Sequence, residues 1–201
     1  MRDIEGNVSR ETLQDLRELE KLIRKWNAAI NLVSKSTLPE LWERHILDSL
    51  QLWPLLPAAQ KLVDFGTGGG FPGLILAVAA KHDAKIGDFT FIESDKRKAA
   101  FLMTSAKTLG LNVRVIADRI EDAPPQEADI ATARALAPCG DLLAHSARHL
   151  KTTGKSFFLK GETAEQEITD ASGNWRFSLV RHPSKTNEKS TILEVGELSR
   201  V

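Results

Sequence analysis

The stretch Asp64-Phe65-Gly66-Thr67-Gly68-Gly69-Gly70-Phe71-Pro72-Gly73 decides the fold of this chain. It follows the apolar run Lys61–Phe65, which predicts a strand, and it leads into Pro72–His82, which predicts a helix. Glycines at such a junction let the backbone turn sharply and let a ligand approach main-chain N–H groups near the helix N-terminus. The segment therefore predicts a nucleotide-type cofactor site.

The register of the glycines indicates which nucleoside is bound. A dinucleotide pattern can be drawn through Gly68, Gly70 and Gly73, but it starts two residues after the strand-ending Gly66 and contains a proline. Counted from the strand end, Asp64 stands two residues before three alternate glycines, which is similar to the loop of S-adenosylmethionine-dependent methyltransferases. A sulfonium cofactor carries an ammonium and no phosphate, so an acid there is favourable. A glycine-rich turn without a ligand is the alternative.

Two further segments are predicted to complete the cofactor site. Glu93 ends the second predicted strand, from which a carboxylate can bind both ribose hydroxyls. After the third strand, Ile120 is predicted to cover the adenine ring, and Glu121 or the backbone to meet the adenine edge. Asp118 and Arg119 in the same turn have a plainer interpretation as a solvated turn.

Strand and helix patterns alternate through the rest of the chain, which predicts a parallel sheet with right-handed crossovers and an antiparallel edge. The predicted fold class is α/β, a Rossmann-like seven-strand methyltransferase fold with an N-terminal helical extension. Residues 1–57 are predicted to form a helical cap on the same compact unit, and residues 58–201 the Rossmann-like domain. The predicted elements are helices at Ser9–Ile30, from Thr37 to Trp53, Asp95–Leu109, near Asp141–Leu150 and from Glu162, and strands at Phe89–Glu93, Val113–Ala117, Asp129–Ala133, Ser156–Lys160, Trp175–Arg181 and Thr191–Val195. The second helix is predicted to start with a capping box formed by Thr37 and Glu40.

Composition excludes several classes of protein. The chain of 201 residues has one cysteine and no metal-ligand spacing, which excludes a disulfide framework and a structural zinc site, and no metal is expected. No apolar run is long enough for a membrane span and the first residues do not resemble a signal peptide, so a cytoplasmic protein is expected. Lys+Arg and Asp+Glu both number 27, so any nucleic-acid contact must come from a local patch. The basic candidates are Arg17, Lys21, Arg24, Lys25, Lys96, Arg97 and Lys98.

The residues after the fourth and fifth strands bear on the methyl acceptor. The motif that accepts exocyclic amines is missing after Ala133, which disfavours amine methylation, and Cys139, the one thiol for cytosine C5 chemistry, stands in apolar surroundings typical of a buried cysteine. Methylation of guanine N7 needs no general base but needs donors for N7 and O6, which arginine and lysine supply. Arg134 and Lys160 end these strands at the ligand-binding edge and are the candidate catalytic residues, although Lys160 has a simple alternative as a solvated strand end.

Taken together, these motifs resemble one family over nearly the whole chain: the bacterial 16S rRNA guanine-527 N7-methyltransferases, also called glucose-inhibited division protein B. The residues that carry the resemblance are Trp26-Asn27, Asn31-Leu32, Glu43 to Leu50, Asp64 to Gly73, Glu93-Ser94, Lys96, Lys98, Phe101-Leu102, Arg119, Glu121, Arg134-Ala135 and Lys160-Gly161.

The resemblance implies methyl transfer from S-adenosylmethionine to guanine N7 in the 530 loop of 16S rRNA, within the 30S subunit or an assembly intermediate, by an enzyme expected to be monomeric. It implies cofactor contacts at Gly66, Phe71, Ile120, Glu121 and Arg134, with Glu93 as the ribose acid. A methyltransferase for another RNA base or a small molecule, and a non-catalytic ribosome-assembly module, remain alternatives. For Arg44 to Ser49, pairing of Arg44 with Asp48 on the helix surface and a place beside the cofactor pocket are both open.

Overall fold

The computed structural model describes residues 2–201, with side chains from residue 4 onward. Seven strands form one sheet in the order β3-β2-β1-β4-β5-β7-β6, in which β7 runs opposite to the other six strands. The chain moves outward from β1 to β3 and then returns to β4 on the other side of β1, so the topological switch point lies between β1 and β4. The strands are β1 Ala59–Phe65, β2 Ile86–Ile92, β3 Val113–Ile116, β4 Ala128–Arg134, β5 Leu150–Lys160, β6 Trp175–Pro183 and β7 Thr191–Arg200.

Helices cover both faces of this sheet. The α-helices are α1 Arg2–Glu5, α2 Arg10–Asn27, α3 Asp48–Leu50, α4 Gly73–Asp83, α5 Lys96–Leu109, α6 Cys139–His149 and α7 Ala164–Ala171. A π-helical segment, Trp42–Leu47, runs directly into α3, and a short 3-10 helix follows at Trp53–Leu55. Among residues 2–201, helices long and apolar enough to cross a membrane are absent.

Alternation along the strands divides the core into two clusters. Successive strand residues point to opposite faces, so Leu62 belongs to one cluster and its neighbour Val63 to the other. The first cluster contains the apolar faces of α2, the π-helical segment, α4 and α5, and the second contains α6 and α7. The N-terminal helices thus share their core with the sheet.

Several element boundaries differ from the sequence-based expectation; β7, for example, ends at Arg200 rather than Val195. The predicted capping box at Thr37 is wrong: the helix begins at residue 41, and the Thr37 hydroxyl contacts Ser34 and, at 2.9 Å, His45 Nε2. Strand β5 begins at Leu150 rather than Ser156: Leu150 pairs with Ala128, and a register shift then brings Lys155 opposite Ile130. The longer strand depends on this pairing with β4, which the local sequence pattern does not show.

Candidate functional site

The glycine loop between β1 and α4 turns through left-handed backbone. Gly66 and Gly68 have φ values of 57° and 56°, which favour glycine. A Cβ on Gly66 would stand 2.4 Å from Leu136 Cδ1, so the loop also approaches the β4–α6 turn too closely for a side chain. The Gly68 N–H donates to Glu93 Oε2 at 2.8 Å, which links the loop to the end of β2. The loop conformation therefore depends on both glycines and on Glu93.

Asp64 lies beneath the loop. Its carboxylate is fully buried and accepts hydrogen bonds from the Gly73 N–H at 3.1 Å and the Thr132 hydroxyl at 2.6 Å. Burial raises the pKa of Asp64 to about 7, against the opposing effect of these hydrogen bonds. Through these bonds Asp64 holds the N-terminus of α4 against β4, and it lines neither of the two cavities described below; its contact with a cofactor stays a prediction.

A small cavity of about 550 Å³ opens beside the loop at the ends of β2 and β3. It brings together Gly66, Gly68, Glu93, Ile120 and Glu121, as the sequence predicted. The Glu93 carboxylate accepts the Asp95 N–H at 2.8 Å through Oε1, so both of its oxygens are oriented by main-chain donors. The His149 ring, through Nε2, lies 2.8 Å from the Ile120 carbonyl oxygen and holds the β3–β4 connection in place.

The charges around the small cavity favour a cationic ligand over a phosphate. Four carboxylates line it, against one lysine and one arginine: the acids are Glu93, Asp118, Glu121 and Asp141, and the cations are Lys98 and Arg119. An excess of carboxylates repels a pyrophosphate, whereas it suits the ammonium and sulfonium groups of S-adenosylmethionine. A volume of several hundred cubic ångströms is the usual size for a ligand of this kind. The residues present therefore fit S-adenosylmethionine and do not favour a dinucleotide.

A large cavity of about 1010 Å³ adjoins the small one and is lined in part by Phe71, Arg134 and Lys160. Arg134 leaves the end of β4 and is largely buried, with 15% of its side chain exposed. Its Nη1 donates to the Arg44 carbonyl and to Asp48 Oδ2, each at 3.2 Å, and its guanidinium carbon lies 4.7 Å from the Phe71 ring centroid. Asp48 thus pairs with Arg134 rather than Arg44, and the π-helical segment lies beside the cavity.

His45 has a defined tautomer because of its neighbours. Arg134 Nη2 lies 2.7 Å from His45 Nδ1, and a guanidinium can only donate, so Nδ1 is the acceptor. The proton therefore resides on Nε2, which donates to the Thr37 hydroxyl. Burial, together with the charges of Arg134 and Arg44, lowers the pKa of His45 to about 4. The imidazole is neutral at physiological pH and orients Arg134.

Lys160 is a buried cation rather than the solvated strand end considered as its alternative. Its side chain is 8% exposed, and its ammonium donates to the Ala137 carbonyl at 2.7 Å and pairs with Glu167 at 2.5 Å. The other Glu167 contacts are the Cys139 N–H and the Thr163 hydroxyl. These contacts fix the β4–α6 turn, which forms the wall between the two cavities.

Cys139 is fully buried at the start of α6, and desolvation raises the pKa of its thiol. A buried thiol with a raised pKa does not form the thiolate that cytosine C5 methylation requires.

Of the basic candidates for RNA contact, Arg17, Lys21 and Arg24 pair with glutamates on α2, and Lys98 lines both cavities. Gly70, like Asp64, lies off both cavity walls.

The contacts that the sequence did not predict come from Gln51 and from the loop between β6 and β7. Gln51 is 3% exposed, and its side chain bonds Asp48, Ser184 and Thr186. Thr186 Oγ1 donates to Asp48 Oδ1 at 2.5 Å. The one sequence signal was an amide standing inside the apolar run Leu50 to Trp53.

Comparisons with known proteins find relatives over nearly the whole chain. A family model described as rRNA small subunit methyltransferase G matches residues 12–193. A protein of Dinoroseobacter shibae named ribosomal RNA small subunit methyltransferase G is 49% identical over 187 residues, which are 92% of this chain and 96% of that protein. A protein of the same name from Cereibacter sphaeroides is 47% identical over 97% of this chain and 94% of its own length.

Solved structures show the same fold at low sequence identity. M. jannaschii TYW2 in complex with AdoMet superposes with a TM-score of 0.61 at 16% identity, over 87% of this chain and 80% of that one. A SAM-dependent methyltransferase from Aquifex aeolicus superposes with a TM-score of 0.58 at 16% identity, over 78% of this chain and 92% of its own. The extent of the family match and the identity to the named relatives establish that the chain belongs to the rRNA small subunit methyltransferase G family.

Proposed function

We propose that this protein transfers the methyl group of S-adenosylmethionine to N7 of guanine 527 in the 530 loop of 16S rRNA. The observation that carries the proposal is the wall shared by the two cavities, which contains Gly66, Gly68 and Leu136. The shared residues show that the two cavities adjoin here, so a cofactor in the small cavity and a base in the large cavity would be neighbours, as direct methyl transfer requires.

The small cavity supplies the residues that would hold the cofactor. When bound, S-adenosylmethionine supplies an electrophilic methyl group on a sulfonium. Glu93, already oriented by two main-chain N–H groups, would accept the ribose hydroxyls, and Ile120 and Glu121 would contact the adenine. Gly66 and Gly68 would allow the ligand to approach the backbone closely. Phe71 and Arg134, which the resemblance gives as cofactor contacts, line the large cavity and not the small one.

The state of the acids in the large cavity favours a ring nitrogen as acceptor. Each of its three lining carboxylates has a cationic partner: Glu40 pairs with Arg44, Asp48 with Arg134 and Glu167 with Lys160. Paired carboxylates are poor general bases, and N7 of guanine needs none because it carries no proton. Arg134 and Lys160 are the donors that we assign to the acceptor base, of which N7 and O6 are acceptors.

The test is transfer of a labelled methyl group to 30S subunits that lack the modification, with naked 16S rRNA in parallel. The labelled base is identified by digestion and mass spectrometry, and its position by cleavage of the chain at 7-methylguanosine. We expect label at guanine N7 in the 530 loop. Label at another base would transfer the proposal to a different RNA substrate, and cofactor binding without label would favour the assembly-module alternative.

The same proposal covers the particle that carries the substrate RNA, the cellular location and the oligomeric state. We assign the substrate to the 30S subunit or a late assembly intermediate, and the protein to the cytoplasm as a monomer. A preference for 30S particles over naked RNA, and a sedimentation mass equal to one chain, are the expected results.

A further inference from the structure

We propose that Gln51 is a positioning residue for the acceptor RNA, because it fixes the β6–β7 loop as a wall of the large cavity and, through Asp48, orients Arg134. This inference rests on the proposed function. The group of residues formed by Asp48, Gln51, Ser184, Lys185 and Thr186 is called the clasp below.

The polar groups of the clasp form hydrogen bonds with one another, although Gln51 stands in the otherwise apolar run Leu50 to Trp53. Of the two N–H groups of Gln51 Nε2, one donates to Asp48 Oδ1 at 2.9 Å and the other points to the hydroxyls of Ser184 and Thr186, whose oxygens each lie 3.2 Å away. Gln51 Oε1 accepts the Lys185 main-chain N–H at 2.7 Å. A buried amide whose donor and acceptor ends are both used specifies one arrangement of its partners, since any other leaves polar atoms unpaired.

Asp48 transmits the position of the loop to Arg134. Its Oδ1 accepts from Gln51 and Thr186, while its Oδ2 accepts from Arg134 Nη1. Gln51 and Thr186 therefore fix the orientation of the Asp48 carboxylate through one of its oxygens, and the other oxygen holds the Arg134 guanidinium. His45 adds a second contact to Arg134 but none to the loop.

The loop itself forms part of the wall on the acceptor side. Ser184, Thr186 and Asn187 line the large cavity, and none of them lines the small one. The clasp therefore acts on the cavity assigned to RNA and leaves the cofactor cavity intact. Loss of the clasp should change the use of RNA while cofactor binding is preserved.

The test compares Gln51→Met with Gln126→Met. Both glutamines are buried, at 3% and 4% exposure, and Gln126 bonds Pro124 in the β3–β4 connection, outside the large cavity. For Gln51→Met we expect KM for 30S subunits to rise about tenfold, with the Kd for S-adenosylmethionine within about twofold of wild type. For Gln126→Met we expect no comparable rise in the 30S KM.

A second measurement does not depend on turnover. Hydrogen exchange of the Lys185 amide should be slow in the wild-type protein and fast in Gln51→Met, because Gln51 Oε1 is the acceptor of that N–H. Fast exchange in the wild type would overturn the clasp, and slow exchange with an unchanged 30S KM in Gln51→Met would overturn its role in positioning RNA. Absence of any RNA label with wild-type enzyme would instead reject the proposed function, and the exchange result would still decide whether the clasp exists.

Discussion

At the scale of single residues, Gly68 combines a left-handed backbone with a hydrogen bond to Glu93, the acid that we assign to the ribose. We expect Gly68→Asp to lower cofactor affinity at least 100-fold, because it places a second carboxylate beside Glu93 at the shared wall. Isothermal titration with S-adenosylmethionine measures the loss. Gly110→Asp is the matched control, since Gly110 has a similar φ of 63° and open space but caps α5 at the opposite edge of the sheet. Equal affinity in the two variants would contradict the loop assignment.

The lowered pKa of His45 predicts that the free energy of unfolding depends on pH. The folded-state pKa of His45, about 4, lies below its ordinary value of 6.5. Between these values the unfolded chain takes up a proton that the folded chain does not, so the free energy of unfolding falls as the pH drops from about 6.5 to 4. The full difference corresponds to about 3 kcal/mol, and we expect a smaller loss because the ring is partly exposed and solvent screens its charge. The loss should be smaller still in His45→Gln.

Nitrogen-15 NMR of the imidazole checks the same prediction directly. At pH 7 the shifts should indicate a neutral ring with the proton on Nε2. A ring that titrates near its ordinary pKa would contradict the contact with Arg134.

At the scale of elements, the pair Lys160 and Glu167 joins the end of β5 to α7 and to the start of α6. Lys160→Met leaves the Glu167 carboxylate without its cation, and we expect a loss of about 3 kcal/mol in the free energy of unfolding. Adding Glu167→Gln removes the unpaired charge and should restore part of that stability. Urea denaturation of the two single variants and the double variant measures the coupling.

The same double variant separates two roles of Lys160. If the ammonium contacts the acceptor base, as proposed, methyl transfer stays low although stability recovers. Recovery of methyl transfer in parallel with stability would limit Lys160 to holding the Ala137 carbonyl and the turn.

The elements also show what the sequence can and cannot predict. The glycine loop, Glu93 and the alternation of strands and helices follow from local patterns, because turn chemistry and hydrophobic periodicity act over a few residues. The hydrogen bonds of Asp64 to Thr132 and to the Gly73 N–H were not predicted, because an acid beside a glycine loop looks the same whether it faces the ligand or supports the loop. The partners of Gln51 and Lys160 were missed because they lie far away along the chain, where no spacing rule applies.

At the scale of the whole molecule, the complete burial of the first eight residues of α4 indicates that the N-terminal helices are needed for folding. Residues 73–80 of this helix are all buried, between the sheet and the helices that precede it. A helix that is apolar all round needs cover on every side. We expect a fragment of residues 58–201 to bind a hydrophobic dye and to lack a cooperative thermal transition, as measured by fluorescence and circular dichroism. A cooperatively folded fragment would instead show that the Rossmann-like domain is autonomous.

The clasp has a consequence for the order of folding. Gln51 and Lys185 are separated by 134 positions in the chain, so their contact closes a long loop, and the entropy of that closure is recovered only when the intervening sheet has formed. The cavity assigned to RNA is therefore completed late, after the small cavity, whose lining residues lie between Gly66 and His145 and so precede the β6–β7 loop in the chain. A newly made chain should acquire affinity for S-adenosylmethionine before it acquires the ability to recognise the ribosome.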